Sequence, residues 1–316
     1  MSLVNFFISC DWGTSNFRLR VVETNSLKVL AEHKTNQGVK ALFEAFQKQK
    51  EVDQGQFFAT YLKEQIQMLP EEHREHLVVS AGMASSNIGL HELGYASMPL
   101  GLSGENLLWE HLNLHNGLEV LLISGAKSET GMMRGEEVQA IGLEEHLSTY
   151  QKGTLLLPGT HSKHVIYEQG KFTDFTTFMT GELFEVLTKS SLLSNSVLAN
   201  DWLPEREIAF KEGLDLGLEG KMSSNLFAVR ARHLIKNKIK EDNYFFLSGL
   251  LIGDELAYLK GSSNPVFLAA PNPILRLYKL GLDQLVSPDQ LVVLEGNALE
   301  KALLIGQKKI ISLYGK

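Results

Sequence analysis

The sequence predicts an α/β fold made of two duplicated halves, and three observations predict it. In the first half the apolar run Val4 to Ile8 feeds Ser9-Cys10-Asp11-Trp12-Gly13-Thr14-Ser15-Asn16-Phe17-Arg18. In the second half Thr154 to Leu157 feeds the shorter echo Pro158-Gly159-Thr160-His161-Ser162-Lys163. After each turn the chain resumes as a strand, and helix–strand alternation follows, which is the signature of an α/β architecture. Glycine lets backbone approach a ligand without a Cβ in the way, and successive N–H groups and hydroxyls in such a turn can wrap phosphate oxygens. One Gly-Thr turn is only a tight turn. Two of them, one per half, predict a duplicated fold with a nucleotide between the halves.

The elements follow in order. Residues 4 to 11 and 17 to 23 read as a β-hairpin, with Phe17, Leu19 and Val21 alternating with Arg18 and Arg20; that period of two buries one face. Thr24-Asn25-Ser26 is a turn, and residues 27 to 33 continue as a third strand. Residues 41 to 68 are helical in texture, Leu77 to Ser80 is a short strand opening onto the small-residue loop Ala81 to Gly89, and Val120 to Ser124 is another strand. Residues 136 to 147 form an amphipathic helix with Val138, Ile141 and Leu147 inward. The second half repeats the plan with strands at 154–158, 164–168 and 171–178, then helices near 181–192, 205–218, 223–238 and 243–261. Strand Val266 to Ala269, a helix near 272–281 and a last helix over 298–312 complete it.

Composition narrows the function. With 316 residues, 44% of them hydrophobic, the chain can build two cores, each near the common domain size. Its 30 basic and 37 acidic residues give a net charge of −7, which argues against a nucleic-acid or anionic-membrane surface. Cys10 is the only cysteine, so a disulfide framework and a cysteine-rich zinc site are excluded; in an apolar strand it reads as a buried structural thiol. No apolar run reaches the roughly 18 residues of a membrane helix, and the opening residues lack the basic start of a signal peptide. The expectation is a soluble, cytoplasmic protein with a small-molecule substrate; a homo-oligomer is left open.

Asp11 to Val21 resembles the first phosphate motif of the actin/hexokinase/chaperone-ATPase superfamily, above all its hexokinase versions. Met133-Arg134-Gly135-Glu136-Glu137-Val138 resembles the first connecting helix, Pro158 to Lys163 takes the second phosphate position, Val266 to Pro271 the adenosine position, and Gly296-Asn297-Ala298 the second connecting segment. Within that superfamily Ser80-Ala81-Gly82-Met83, Ser86-Asn87-Ile88-Gly89, Phe178-Met179-Thr180-Gly181-Glu182-Leu183, Val229 to His233 and Leu247 to Gly253 resemble the 2-dehydro-3-deoxygalactonokinase family. The resemblance implies two ribonuclease-H-like domains flanking a nucleotide-binding cleft. The expected boundaries are 1–132, a connecting helix 133–148, a second domain 149–297, and a helix 298–316 that can return to the first domain. At the adenosine position Ala270-Pro271-Asn272-Pro273 departs from the glycine-rich sequence usual there, which leaves nucleotide preference open.

The resemblance also implies ATP and Mg²⁺ as cofactors and a sugar acid of galactonate catabolism as substrate, phosphorylated at its terminal hydroxyl. Phosphoryl transfer needs the γ-phosphate, the metal and the acceptor hydroxyl held in line. Asp11, at the end of its strand, would hold Mg²⁺ directly or through water. Gly13, Thr14, Ser15 and Asn16 would contact phosphate, with Gly159, Thr160 and His161 meeting it from the other half. Arg18 is either a phosphate-side cation or a solvated strand residue, and Lys163 would neutralise phosphate or bind the acid. Superfamily sugar kinases place their general base at the start of the first connecting helix, where this chain has Glu136 and Glu137. Adjacent helical residues point about 100° apart, so only one of them can face the cleft well, and Glu136 is the choice over Glu137; the alternative is that both only favour the positive helix N-terminus. Arg134 would bind the substrate carboxylate or act in catalysis, or else form an interdomain salt bridge, while Ser86 and Asn87 would bind its hydroxyls. A kinase for another sugar or 3-deoxy sugar acid, and a non-catalytic sensor of the same fold, are the rival readings.

Overall fold

Strand order in the two large sheets shows the same plan twice. The computed structural model describes residues 4–49, 51–115, 117–294 and 297–315. The chain forms two units, one comprising residues up to 151 together with 167–174 and 297 onward, the other 152–166 and 175–296.

In the first unit β1 (Phe6–Trp12), β2 (Phe17–Glu23) and β3 (Val29–Thr35) form an antiparallel meander. Helices α1 (Val39–Phe46) and α2 (Gln54–Ile66) lead to β4 (Val78–Gly82), which returns parallel to β1. The short strands β5 (Ala96–Ser97) and β6 (Leu100–Gly101) precede β7 (Trp109–Asn113) and β8 (Glu119–Ile123), and the sheet order is β3-β2-β1-β4-β8-β7. Strands β9 (Ala126–Lys127) and β10 (Met132–Met133) join β5 in a small second sheet ahead of α3 (Glu136–Gly142) and α4 (Glu144–Leu147).

The second large sheet repeats this meander with β11 (Lys152–Leu157), β12 (Ser162–Glu168) and β13 (Lys171–Phe178). Its helices are α5 (Thr180–Lys189), α6 (Glu207–Leu218), α7 (Met222–Asn225), α8 (Ala228–Leu234) and α9 (Lys240–Leu256). Strand β14 (Val266–Ala269) pairs parallel to β11, and β15 (Leu291–Leu294), reached through α10 (Ile274–Leu282), pairs parallel to β14. The order β13-β12-β11-β14-β15 is therefore the counterpart of β3-β2-β1-β4-β8. The last helix, α11 (Ala298–Tyr314), belongs to the first unit, where it packs on α3. Lys309 on α11 donates to the carbonyls of Ile141 (2.6 Å) and Leu102 (3.0 Å) and pairs with Glu144. A cation is favoured there, because Ile141 sits in the last turn of α3, where carbonyls lack helical partners.

Several expected elements are corrected. The stretch 41–68 is two helices, because the polar Gln47, Lys48 and Gln49 cannot continue a buried stripe and Asp53 starts a new helix by accepting from the Gln56 N–H at 2.8 Å, an ordinary N-cap. The stretch 223–238 likewise divides into α7 and α8, and 136–147 into α3 and α4 at Leu143. Ala81 and Gly82 belong to β4 rather than to a loop. Gly296, in the expected second connecting segment, lies outside the described residues.

The first core holds the end of β1 in place. Trp12 is fully buried and packs edge-on against Phe17, ring centres 4.8 Å apart, with Phe58 and Tyr61 of α2 behind it. Truncating an aromatic so placed typically costs about 3–5 kcal/mol. Since successive strand side chains face opposite ways, anchoring Trp12 fixes Asp11 on the other face. In the second unit α6 and α9 cross at backbone contact: a Cβ on Gly213 would lie 2.0 Å from the Phe246 carbonyl oxygen.

Candidate active site

The two Gly-Thr turns have the same length and occupy the same place in their sheets. In the first, β1 pairs with β2 down to Trp12 opposite Phe17, and the Gly13 N–H donates to the Asn16 carbonyl at 2.9 Å. Helix α1 starts on this turn, with Val39 N–H donating to Gly13 O (3.0 Å) and Lys40 N–H to Thr14 O (3.2 Å). Those bonds fix the turn while the side chains of Thr14, Ser15 and Asn16 face solvent.

Asp11 and Arg18 stand opposite each other in the β1–β2 register, with Arg18 Nη2 3.0 Å from Asp11 Oδ2. Arg18 Nη1 also reaches Glu300 of α11 at 3.0 Å, so Arg18 is neither simply solvated nor free for phosphate as it stands. Burial opposes its charge, and the carboxylates of Asp11 and Glu300 more than compensate, holding its pKa above the usual value. A cavity of about 600 Å³ opens beside this pair, lined by Asp11, Gly13, Asn16 and Arg18 with Lys34, Thr35 and Asn36 of the β3 end. Among the described residues no three His, Cys, Asp or Glu side chains gather to hold a metal. One carboxylate beside amide and hydroxyl oxygens is the donor set Mg²⁺ accepts, since it keeps several waters and takes the rest from substrate phosphates.

Three backbones meet where β1, β4 and α3 come together. Gly82 ends β4 at φ +93°, and a Cβ there would stand 2.8 Å from the Trp12 carbonyl oxygen. Gly135, at φ +111°, precedes α3 and lies against Gly82, a Cβ on it meeting the Gly82 Cα at 3.4 Å. Both positive φ values suit glycine alone, and they bring the N-terminus of α3 close to the end of β1. The two acids there differ sharply. Glu136 is half-buried, and its Oε2 accepts the Arg134 N–H at 3.0 Å. Glu137 is fully buried, and both its oxygens lie 2.8 Å from the Gly135 nitrogen. Burial, and then the neighbouring Glu136 charge, push the Glu137 carboxyl up to about 8, against the opposing pull of the Gly135 N–H.

The hydrogen bonds of Arg134 lie within the first unit. Its Nη1 donates to Ser85 O (2.6 Å) and Ser85 Oγ (2.5 Å), Nη2 reaches Leu93 O (3.4 Å), and the guanidinium lies 4.2 Å over the Tyr95 ring. It thereby pins the loop that carries Ser86 and Asn87. Ser86 is buried with its hydroxyl donating to Met83 O at 2.8 Å, whereas the Asn87 side chain is exposed.

In the second unit Gly159, Thr160 and His161 are exposed on a turn against which α5 starts. The Glu182 N–H donates to Thr160 O at 3.0 Å, and a Cβ on Gly181 would stand 2.5 Å from the Gly159 carbonyl oxygen. His161 Nε2 lies 2.5 Å from Glu182 Oε2, and Lys163, buried, donates to His161 O at 2.9 Å. Next to this turn lies a largely apolar cavity of about 380 Å³. Gly159, Thr180 and Gly181 border it, Phe184, Trp202, Tyr244 and Tyr278 supply aromatic walls, and Asn200 and Asp201 supply polar groups. Sequence reasoning missed these walls. They come from helices α5, α9 and α10 and from the loop that carries Trp202, with no common spacing, and only Pro273, which also lines the cavity, belongs to the adenosine segment identified from sequence.

Comparisons with known proteins show the family. A family model for 2-keto-3-deoxy-galactonokinase matches residues 11–305. A protein from Escherichia coli (strain K12) named 2-dehydro-3-deoxygalactonokinase is 32% identical over 262 residues, covering 80% of each chain. One from Rhizobium meliloti (strain 1021), named Probable 2-dehydro-3-deoxygalactonokinase DgoK1, is 29% identical over 292 residues and 90% of each. A crystal structure assigned to a 2-dehydro-3-deoxygalactonokinase protein from Sinorhizobium meliloti superposes with a TM-score of 0.78 at 26% identity, covering 95% of this chain and 94% of that one. The chain belongs to the 2-keto-3-deoxy-galactonokinase family, and its two repeated α/β sheets are the sugar-kinase fold of that family.

Proposed function

We propose that this enzyme transfers the γ-phosphoryl group of ATP to the C6 hydroxyl of 2-dehydro-3-deoxy-D-galactonate, giving the 6-phosphate. The observation that carries the chemistry is the convergence of β1, β4 and α3 at Gly82 and Gly135, which sets Asp11, Arg134 and Glu136 on neighbouring backbone. The acceptor is the one acted on by the named relatives.

Each residue then has a role. Glu136 takes the proton of the acceptor hydroxyl; its partial exposure favours it over Glu137, whose oxygens are buried on the Gly135 N–H. Gly13, Thr14, Ser15 and Asn16 bind phosphate oxygens from one turn, and Gly159, Thr160, His161 and Lys163 from the other. Asp11, with waters, would hold Mg²⁺, and Arg18 keeps its carboxylate in place until the ion competes for it. The ion when bound supplies charge neutralisation on the phosphates. Arg134 acts on the sugar acid through the loop it pins, where Ser86 and Asn87 contribute polar groups. The aromatic cavity beside Gly159 takes the adenosine: flat walls suit a purine, and Asn200 and Asp201 suit its amino group and ribose hydroxyls.

A coupled ADP-release assay with ATP and Mg²⁺ tests the reading across 2-dehydro-3-deoxygalactonate, its gluconate-derived epimer, gluconate and glucose. Turnover confined to the galactonate derivative is the expected result. Preference for another acceptor would overturn the substrate assignment, and ATP binding without turnover on any of them would overturn the catalytic one.

A further inference from the structure

A chain of polar groups, buried except for the half-exposed Tyr258 at its far end, runs beneath the second phosphate turn, and nothing in the phosphoryl-transfer chemistry above uses it. Tyr258 Oη lies 2.8 Å from His164 Nδ1, and His164 Nε2 lies 2.8 Å from Glu255 Oε1. Glu255 Oε2 accepts the Tyr278 hydroxyl at 2.7 Å, and Tyr278 Oη lies 3.1 Å from Ser162 Oγ. Ser162 Oγ in turn stands 3.5 Å from the Gly159 nitrogen. Ser162, His164, Glu255 and Tyr278 are each at most 3% exposed. The chain thus ends on the turn residue that borders the aromatic cavity.

Its hydrogen-bond polarity is determined by Glu255. The Tyr278 hydroxyl donates to Glu255 Oε2, so the Tyr278 proton points to Glu255. The Tyr278 oxygen is then left as an acceptor for the Ser162 hydroxyl, and Thr180, the first residue of α5, bonds to the same tyrosine hydroxyl. With its proton committed to Tyr278, Ser162 Oγ turns its lone pairs toward the Gly159 N–H. One phenol oxygen therefore fastens both the end of the turn and the start of the helix behind it. An unpaired polar group in so dry a place is strongly disfavoured, so these partners cannot rearrange independently.

We propose that Tyr278 and Glu255 are positioning residues for nucleotide binding: they fasten Ser162 and Thr180 so that the Gly159–His161 backbone is preset to receive a nucleotide phosphate. The proposal rests on the assignment of that turn and its cavity to ATP. It requires the ring of Tyr278, which lines the cavity, less than its hydroxyl, which does the fastening.

Tyr278→Phe keeps the ring and removes the hydroxyl. In the full-length enzyme it is expected to raise the KM for ATP, and the Kd for ADP measured by titration calorimetry, by about ten-fold. The KM for the sugar acid should stay within about two-fold, a split that a merely structural loss would not produce. Ser162→Ala and Glu255→Gln are expected to show the same split. The Tyr278→Phe/Ser162→Ala double variant should be no worse than the poorer single one, since groups in one network do not add. Should Tyr278→Phe not fold, Ser162→Ala alone decides. Unchanged ADP affinity in these variants, or equal loss for both substrates, overturns the proposal while leaving the kinase reading intact. Wild-type protein that takes up no ADP overturns both.

Discussion

Replacing Glu137 by glutamine should make the enzyme more stable at alkaline pH and leave it active. In the native protein the Glu137 carboxyl is fully buried and pushed up to about 8, whereas an unfolded glutamate ionises near 4.5. Between those values the native state holds a proton that the unfolded chain has released, so stability falls as pH rises. The full contribution is present below the unfolded value and is gone once pH passes the native one. Each pH unit of separation is worth about 1.4 kcal/mol, so the window from 4.5 to about 8 amounts to roughly 5 kcal/mol at most. Glutamine carries no charge, and its carbonyl can still accept the Gly135 N–H that both glutamate oxygens now face at 2.8 Å. Urea midpoints at pH 5, 7 and 9 read the effect, and the difference between variant and wild type cancels every other titrating group. The variant should sit near or slightly below wild type at pH 5 and gain on it by a few kcal/mol at pH 9. Parallel profiles would mean that Glu137 is ionised in the native state and would remove the argument that its burial disqualifies it as the base.

Glu136→Gln should keep ATP affinity and lose turnover by about 10²–10⁴-fold in the coupled assay, the usual contribution of a general base; a loss below ten-fold would move the role elsewhere. Gly181→Ala forces a Cβ to 2.5 Å from the Gly159 carbonyl oxygen. It should displace α5 from the turn and raise the KM for ATP well above that for the sugar acid. Cys10 is buried, with burial first and Asp11 second pushing its thiol up to about 12. A thiol reagent should therefore modify it only at the rate of unfolding, and fast labelling of native protein would show that β1 opens locally.

The strand pattern was legible where chemistry repeats locally. The β1–β2 hairpin follows from alternation in Phe17-Arg18-Leu19-Arg20-Val21, and β13 spans the expected residues 171–178. What failed was long-range. Strand β15 reads as four apolar residues after a polar stretch, and only pairing with β14 makes it a strand. The glycines of the two Gly-Thr turns, Gly13 and Gly159, stand out in sequence because each follows an apolar strand run and opens the same motif. The walls of the apolar cavity do not, because Phe184, Trp202, Tyr244 and Tyr278 look in sequence like any core aromatics. Glu136 and Glu137 were indistinguishable as letters. Their difference appears only in the folded unit, where α11 packs on α3 and Glu137 is fully buried while Glu136 is half-buried.

Duplication explains why the two turns do different work. Aligned on their Gly-Thr pairs, Asp11 corresponds to Leu157, which is buried and apolar, so at this position the first turn carries a carboxylate and the second does not. Arg18 corresponds to His164: Arg18 bonds to Asp11 across the hairpin, while His164 turns inward to Glu255. The first turn is thus braced by an ion pair at the rim of a polar cavity, where a metal ion can compete for the acid. The second is braced from beneath by groups that water does not reach, beside an apolar cavity suited to a base. On the roles proposed above, a turn facing the metal would exchange partners during the reaction, whereas one that only grips phosphate would gain from being rigid. The same strand plan, with its polar support moved from the surface to the interior, supplies both.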